Sequence, residues 1–312
     1  VMINSDFAKN LHSKKFDNSI SPGTGGSTLA YGYIQLKTPS TAAVRALNTE
    51  YTAGEAKREE KTAKAVIMGG SFEVDRVLQN TSGAVDELAF QAQQKIKATA
   101  NYFHNLVING TSASSGTGYV VNTFDGLRKA LTGTSNDFTT DIDLSDSTKL
   151  DSNANAFVDQ LDELTHMVAG GASLLLMNTA MLLKVRAAAR RAGYYDRKKD
   201  DFGRAVEYFG DIPIMDAGMY YNGTKSVDVI DTSTPSATAA GTSSIYAVNI
   251  ALDGFHGISP TGTGVINSYM PDLKAPGAVK KGEVELVAGV VLKNTLKAAA
   301  LNGIALKAKT SV

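Results

Sequence analysis

No cysteine occurs among the 312 residues. Disulfide staples, thiolate metal sites and a cysteine nucleophile are therefore excluded, and rigidity has to come from packing and from many weak contacts. Excess charge of either sign is also missing, since 31 Lys and Arg face 31 Asp and Glu. A balanced chain lacks the basic surface that a dedicated nucleic-acid grip requires, and its copies repel one another little. No apolar run approaches the roughly 18 residues needed to span a bilayer. The opening Val1-Met2-Ile3-Asn4-Ser5 has neither the basic start nor the apolar stretch of a secretory signal. Without such a signal, the Asn-x-Ser/Thr triplets at Asn80, Asn109 and Asn222 read as chance matches.

The chemistry-bearing residue types are scarce and scattered. His12, His104, His166 and His256 show no metal-ligand spacing. No Gly-x-Ser-x-Gly elbow occurs, and Gly170-Gly171-Ala172-Ser173 has the wrong spacing for one. Asp141, Asp143 and Asp146 resemble the start of a calcium loop, but the required Gly and closing Glu do not follow. Nothing assembles a nucleophile, a base and an orienting group. The expectation is a non-enzyme with no catalytic, cofactor or metal site.

What is present is enough apolar material for a real core: 43% hydrophobic and 20% charged residues predict a folded chain. Residues 1–27 read as an arm punctuated by Pro22-Gly23-Thr24-Gly25-Gly26. Strand-like composition covers 28–37 and again 64–78, where Phe72, Val74 and Leu78 are interleaved with charges. Between them the stretch around Lys57, Arg58, Glu59 and Glu60 is polar with mixed signs. It reads either as a solvated face or as a loop pairing with a neighbour, because an isolated strand pair needs a surface to lie on. Val85, Leu88, Ala92, Ile96, Phe103 and Val107 recur at helical spacing, predicting a helix capped by Thr81 or Ser82 and ended by Asn109-Gly110. Its length is roughly 40 Å at 1.5 Å per residue.

A short helix is expected over 123–131, an amphipathic one around Phe157, Leu161 and Leu164, a buried strand at Ser173–Met177, and a helix at Ala180–Arg191. From 205 strands dominate: a hairpin at 205–215, strands at 227–230 and 245–252, and a returning strand or strand pair within 283–309. The class is α+β. Arg190, Arg191, Arg197, Lys198 and Lys199 belong to the densest basic cluster, interrupted by Asp196, Asp200 and Asp201. The cluster reads as a solvated helix end and loop, or as a surface facing DNA or an acidic neighbour.

The order of these pieces carries a resemblance. Gly70-Ser71-Phe72-Glu73-Val74-Asp75-Arg76 leads into the long helix. Val107-Ile108-Asn109-Gly110-Thr111 and Phe124-Asp125-Gly126-Leu127 follow, then Leu175-Leu176-Met177-Asn178, Gly210-Asp211-Ile212-Pro213-Ile214 and Val284-Glu285-Leu286-Val287-Ala288-Gly289-Val290-Val291. In that sequence the chain resembles the tailed-bacteriophage major capsid proteins of the Hong Kong ninety-seven-like fold. The resemblance implies an N-terminal arm (1–27), an extended loop (28–78), a peripheral domain (79–150 with 284–312, spine helix 82–108) and an axial domain (151–283). It implies a homo-oligomer of pentamers and hexamers closing an icosahedral virion shell in the host bacterial cytoplasm. Packaged double-stranded DNA would be contacted non-specifically, scaffold, portal and decoration proteins would be partners, and no membrane or cofactor would be involved. Lys57, Arg58, Glu59, Glu60, Phe72 and Arg76 would lie at a subunit boundary. The alternative is an encapsulin-like bacterial nanocompartment shell, which shares the fold.

Overall fold

A computed structural model of the chain describes residues 16–17, 29–38, 40–81, 86–193, 197–199, 205–259 and 266–310. After β1 (Phe16–Asp17), strands β2 (Ala30–Thr38) and β3 (Lys57–Lys64) form a separate antiparallel ribbon. Then come β4 (Val66–Asp75), α1 (Arg76–Thr81) and the long α2 (Glu87–Asn109). The short α3 (Leu127–Leu131), β5 (Asp137–Thr139), α4 (Ser147–His166), β6 (Leu174–Met177) and α5 (Thr179–Ala192) occupy the middle. Nine strands follow: β7 (Arg197–Lys199), β8 (Ala205–Phe209), β9 (Ile212–Asp216), β10 (Met219–Tyr221), β11 (Ser226–Asp228), β12 (Gly241–Val248), β13 (Phe255–Ile258), β14 (Ile266–Tyr269) and β15 (Val279–Leu292). After a 3-10 turn at Thr295–Lys297, β16 (Ala298–Lys307) ends the fold.

Two sheets carry the body. In the first, β15 is the axis: β4 pairs antiparallel along its 279–288 part, β14 along the other edge, and β13 with its last four residues. In the second, seven strands run in the order β5-β16-β12-β6-β9-β8-β7. The segment 284–312 is thus divided: β15 lies in the first sheet and β16 in the second. The continuous apolar run Leu174–Met177 is buried on both faces, as expected for an interior strand. Leu174 and Leu176 face one core together with Tyr246 and Val248, while Leu175 and Met177 face a second core built with α4 and α5. The C-terminal half of α2, Phe103 to Ile108, sits in the first core between residues of both sheets.

The long helix begins later than its spacing suggests. Asp86, not Thr81 or Ser82, caps it by accepting from the Ala89 amide at 3.1 Å. Thr81 instead ends α1 and donates its hydroxyl to Val77 O at 2.7 Å. The helix has 23 residues, roughly 34 Å at 1.5 Å per residue. It stops where α3 docks onto its end. A Cβ at Gly126 would lie 2.7–2.8 Å from the Leu106, Val107 and Ile108 carbonyl oxygens. Only glycine lets the two helices approach so closely, which explains Phe124-Asp125-Gly126-Leu127.

Asp143 and Asp146 serve the start of α4. Asp146 accepts from Lys149 N at 2.9 Å, and Asp143 accepts from Ser145 N at 2.9 Å and pairs with the Lys149 ammonium. Among the described residues, no helix is long and apolar enough to cross a membrane.

Candidate subunit interface

The β2–β3 ribbon is the feature least explained by the chain's own packing. Its root is tied down. Tyr31 is buried against Ala65, Ile258 and Val291. Its ring stands edge-on to His256 at 6.0 Å, with the Lys293 ammonium 5.2 Å from its centroid. The Ala65 amide donates to Leu29 O at 2.7 Å. Burial and the nearby Asp125 and Glu59 carboxylates push the Tyr33 phenol above its ordinary pKa.

Beyond the root the cover runs out. Ile34 and Leu36 are each 60% exposed, Leu47 is 90% exposed, and Val44 is fully exposed. Two strands alone are marginal in water, and contiguous exposed apolar side chains mark interaction surfaces. The ribbon's apolar side chains beyond the root are left uncovered by their own chain.

Lys57, Arg58, Glu59 and Glu60 all sit exposed on β3, in register with Thr38, Leu36, Gln35 and Ile34. The sequence offered a loop here because both faces of this strand are solvated, so no period-two apolar pattern exists to announce it. Arg76 opens α1, exposed, with its amide donating to Ala278 O at 2.9 Å.

Phe72 corrects the boundary assignment. It is 5% exposed and lies in the chain's own core with Val74, Ala92 and Val284. Gly282 lies directly opposite, where a Cβ would fall 2.3 Å from the Phe72 ring. Phe72 is covered by β15 and α2 and has no surface left for a neighbour. The alternation at 72 and 74 correctly marks one buried face but cannot say whose residues bury it.

The basic cluster divides between the end of α5 and the strand β7. Arg190 and Arg191 end α5, where cations favour the helix C-terminus. Arg191 pairs with Asp151, and Arg186 pairs with Glu207. Arg197, Lys198 and Lys199 form β7, the edge strand of the seven-stranded sheet. Of the histidines, His104 and His256 are buried, His166 is exposed on α4, and His12 lies outside the described residues. Burial holds the His104 imidazole down to about 4.

Sequence reasoning missed a second exposed apolar group. Val77 and Leu78 on α1 are exposed beside Val279, whose strand pairs with the end of β4. Tyr269 and Met270 are exposed at the end of β14. A six-residue helix gives no periodicity to read, so this patch had no signal in the sequence.

No family model and no curated protein matches the chain. Solved structures do. The holo-SrpI encapsulin complex of Synechococcus elongatus superposes with a TM-score of 0.62 at 13% identity, covering 100% of this chain and 99% of that one. A structure from Mycobacterium phage Ogopogo gives 0.53 at 12% identity over 88% and 87%. The capsid of Myoviridae phage XM1 gives 0.53 at 14% identity over 93% and 89%. At such identities the likeness speaks for the fold alone, and it extends over nearly the whole chain. With a long spine helix, a protruding ribbon and two sheets joined by a shared core, the chain has the Hong Kong ninety-seven-like fold found in phage capsids and an encapsulin shell.

Proposed function

We propose that this chain is a non-enzymatic shell subunit, the major capsid protein of a tailed bacteriophage, which assembles with copies of itself around double-stranded DNA. The observation that carries the reading is the ribbon. Its root is locked by Tyr31 while Ile34, Leu36, Val44 and Leu47 stand uncovered. A neighbouring copy supplies the missing surface, and Lys57 to Glu60 offer both signs of charge to it. In this reading the β4–β14–β15 sheet with the spine helix forms the peripheral part. The seven-stranded sheet with α4 and α5 forms the axial part that gathers into pentamers and hexamers. Each contact is weak enough to anneal. Closure multiplies contacts of about 1,000 Å² or more into a stable particle.

A second reading has its own support. The encapsulin superposes over the full length with the highest TM-score of the three structures described, which favours a bacterial nanocompartment enclosing protein instead of DNA. Particles purified from the native source, treated with nuclease and then extracted, separate the two. Protected double-stranded DNA supports the capsid. Co-purifying protein cargo with no protected DNA supports the nanocompartment and overturns the capsid reading.

A further inference from the structure

A cleft of about 780 Å³ opens where the two sheets meet the spine helix, a size within the roughly 300–1,000 Å³ typical of ligand sites. One wall is α2 (Asn105, Asn109) and the start of α3 (Arg128). The opposite wall is the β10–β11 hairpin with Tyr220 and Asp228, continuing to Asp231. The floor is the face of β12 and β16.

The charges in this cleft are not balanced. Arg128 is already placed, lying 4.9 Å from the Tyr119 ring centroid and donating to Gly118 O at 3.3 Å. Asp137 is also engaged, accepting from Asn302 Nδ2 at 2.7 Å and from the Gly133 amide at 3.2 Å. Asp228 and Asp231 are different: among the described residues neither carboxylate takes a hydrogen bond or an ion pair. Burial and the neighbouring Asp216 and Asp231 carboxylates push the Asp228 carboxyl up, and Lys307 only partly offsets them. Asn105, 1% exposed, lines the same cleft with its amide nitrogen unpartnered. The buried unmet Asn105 donor costs stability unless an occupant answers it, and the half-buried Asp228 and exposed Asp231 make the cleft beside it acidic. The occupant therefore carries cations and a carbonyl acceptor, which together describe a basic peptide.

One stretch of this chain fits that chemistry. Residues 7–15 carry Lys9, Lys14 and Lys15 with no acid among them, and they lie outside the described residues. They run directly into β1, which pairs parallel with β13 at Gly257 and Ile258. Phe255 of β13 shares the first core with Tyr246, and Tyr246 forms part of the cleft floor. Nine extended residues reach up to about 30 Å. The exposed ribbon is a poorer complement, because Glu59 and Glu60 stand beside Lys57 and Arg58.

We propose that this cleft is the receptor for the lysine-bearing segment 7–15, from the same copy or a neighbouring one. Its lysines meet Asp228 and Asp231, and a backbone carbonyl meets Asn105. The inference stands on the cleft and not on shell closure.

Zero-length coupling of the full chain with a water-soluble carbodiimide tests it, with peptide mapping by mass spectrometry. The expected product is an amide between Asp228 or Asp231 and Lys9, Lys14 or Lys15, falling at least tenfold in the Asp228→Asn, Asp231→Asn double variant. Mixing isotopically light and heavy chains tells whether the bond forms within or between copies. Coupling of these two carboxylates to lysines elsewhere, or none at all while Lys149–Asp143 coupling proceeds, overturns the proposal. On the unassembled chain the coupling reads the within-copy bond alone, and on particles it reads both bonds, so its failure is distinguishable from failure of the capsid reading.

Discussion

Acid should destabilise this fold through one identifiable residue. His104 lies on the buried side of the spine helix, 2% exposed, and burial lowers its imidazole from 6.5 to about 4. The unfolded chain takes up this proton near pH 6.5, while the folded chain resists it until about pH 4. Stability is therefore complete above pH 6.5 and is lost as pH falls through the window from 6.5 to about 4. At about 1.4 kcal/mol for each tenfold change, that window amounts to about 3 kcal/mol. Carboxylates titrate in the same range, so the effect has to be isolated by difference. Urea unfolding of the unassembled chain, as wild type and as His104→Gln, would be followed at several values from pH 8 to pH 4. Whatever constant offset the glutamine causes, the wild type should lose about 3 kcal/mol more than the variant across the window. A gap that stays constant with pH would refute the reasoning, because it would mean that His104 is protonated equally easily in both states.

Three further outcomes follow from the packing. Phe72→Ala should cost about 3–5 kcal/mol in the isolated chain, measured by denaturant unfolding, because Phe72 fills the space between β4, Gly282 and α2; a surface-like loss under 0.5 kcal/mol would return it to the subunit boundary. Asn178→Ala should cost about 3 kcal/mol, since its amide nitrogen donates to Ile230 O at 2.8 Å and to the Thr232 and Ser243 hydroxyls, while its oxygen caps α5 from Met181 N. Asn178→Asp should recover none of that loss although it keeps the cap acceptor, because it sets a buried carboxylate oxygen against Ile230 O. Val44→Asp combined with Leu47→Asp should leave the melting temperature of the unassembled chain unchanged and abolish assembly seen by light scattering; normal assembly would show that the ribbon turn touches nothing.

The parts of this fold that the sequence announces are those whose burial is decided locally. The 3.6-residue spacing from Leu88 to Val107 marks the spine helix because one stripe faces a sheet built by the same chain. The hairpin at Ala205–Asp216 is announced by Gly210-Asp211, and the apolar run Leu174–Met177 by its burial on both faces. Lys57–Lys64 was illegible as a strand for the opposite reason. Strand periodicity records a difference between two faces, and this strand has solvent on both. Phe72 shows the complementary failure. Its alternation with Val74 fixes which face is covered, while the covering residues Ala92, Val284 and Gly282 lie 20 to more than 200 positions away. The cleft was illegible altogether, since Asn105, Asp228 and Asp231 meet only after the two sheets dock.

The central claim is that this 32.9 kDa chain closes into a shell with its β2–β3 ribbon seated on a neighbouring copy. Cryo-electron microscopy of the chain, expressed alone and with its neighbouring reading frames, tests this most directly. The account predicts closed icosahedral particles in which Ile34, Leu36, Val44 and Leu47 are covered by an adjacent subunit. Monomers under both conditions, or particles whose ribbons project into solvent, would contradict it.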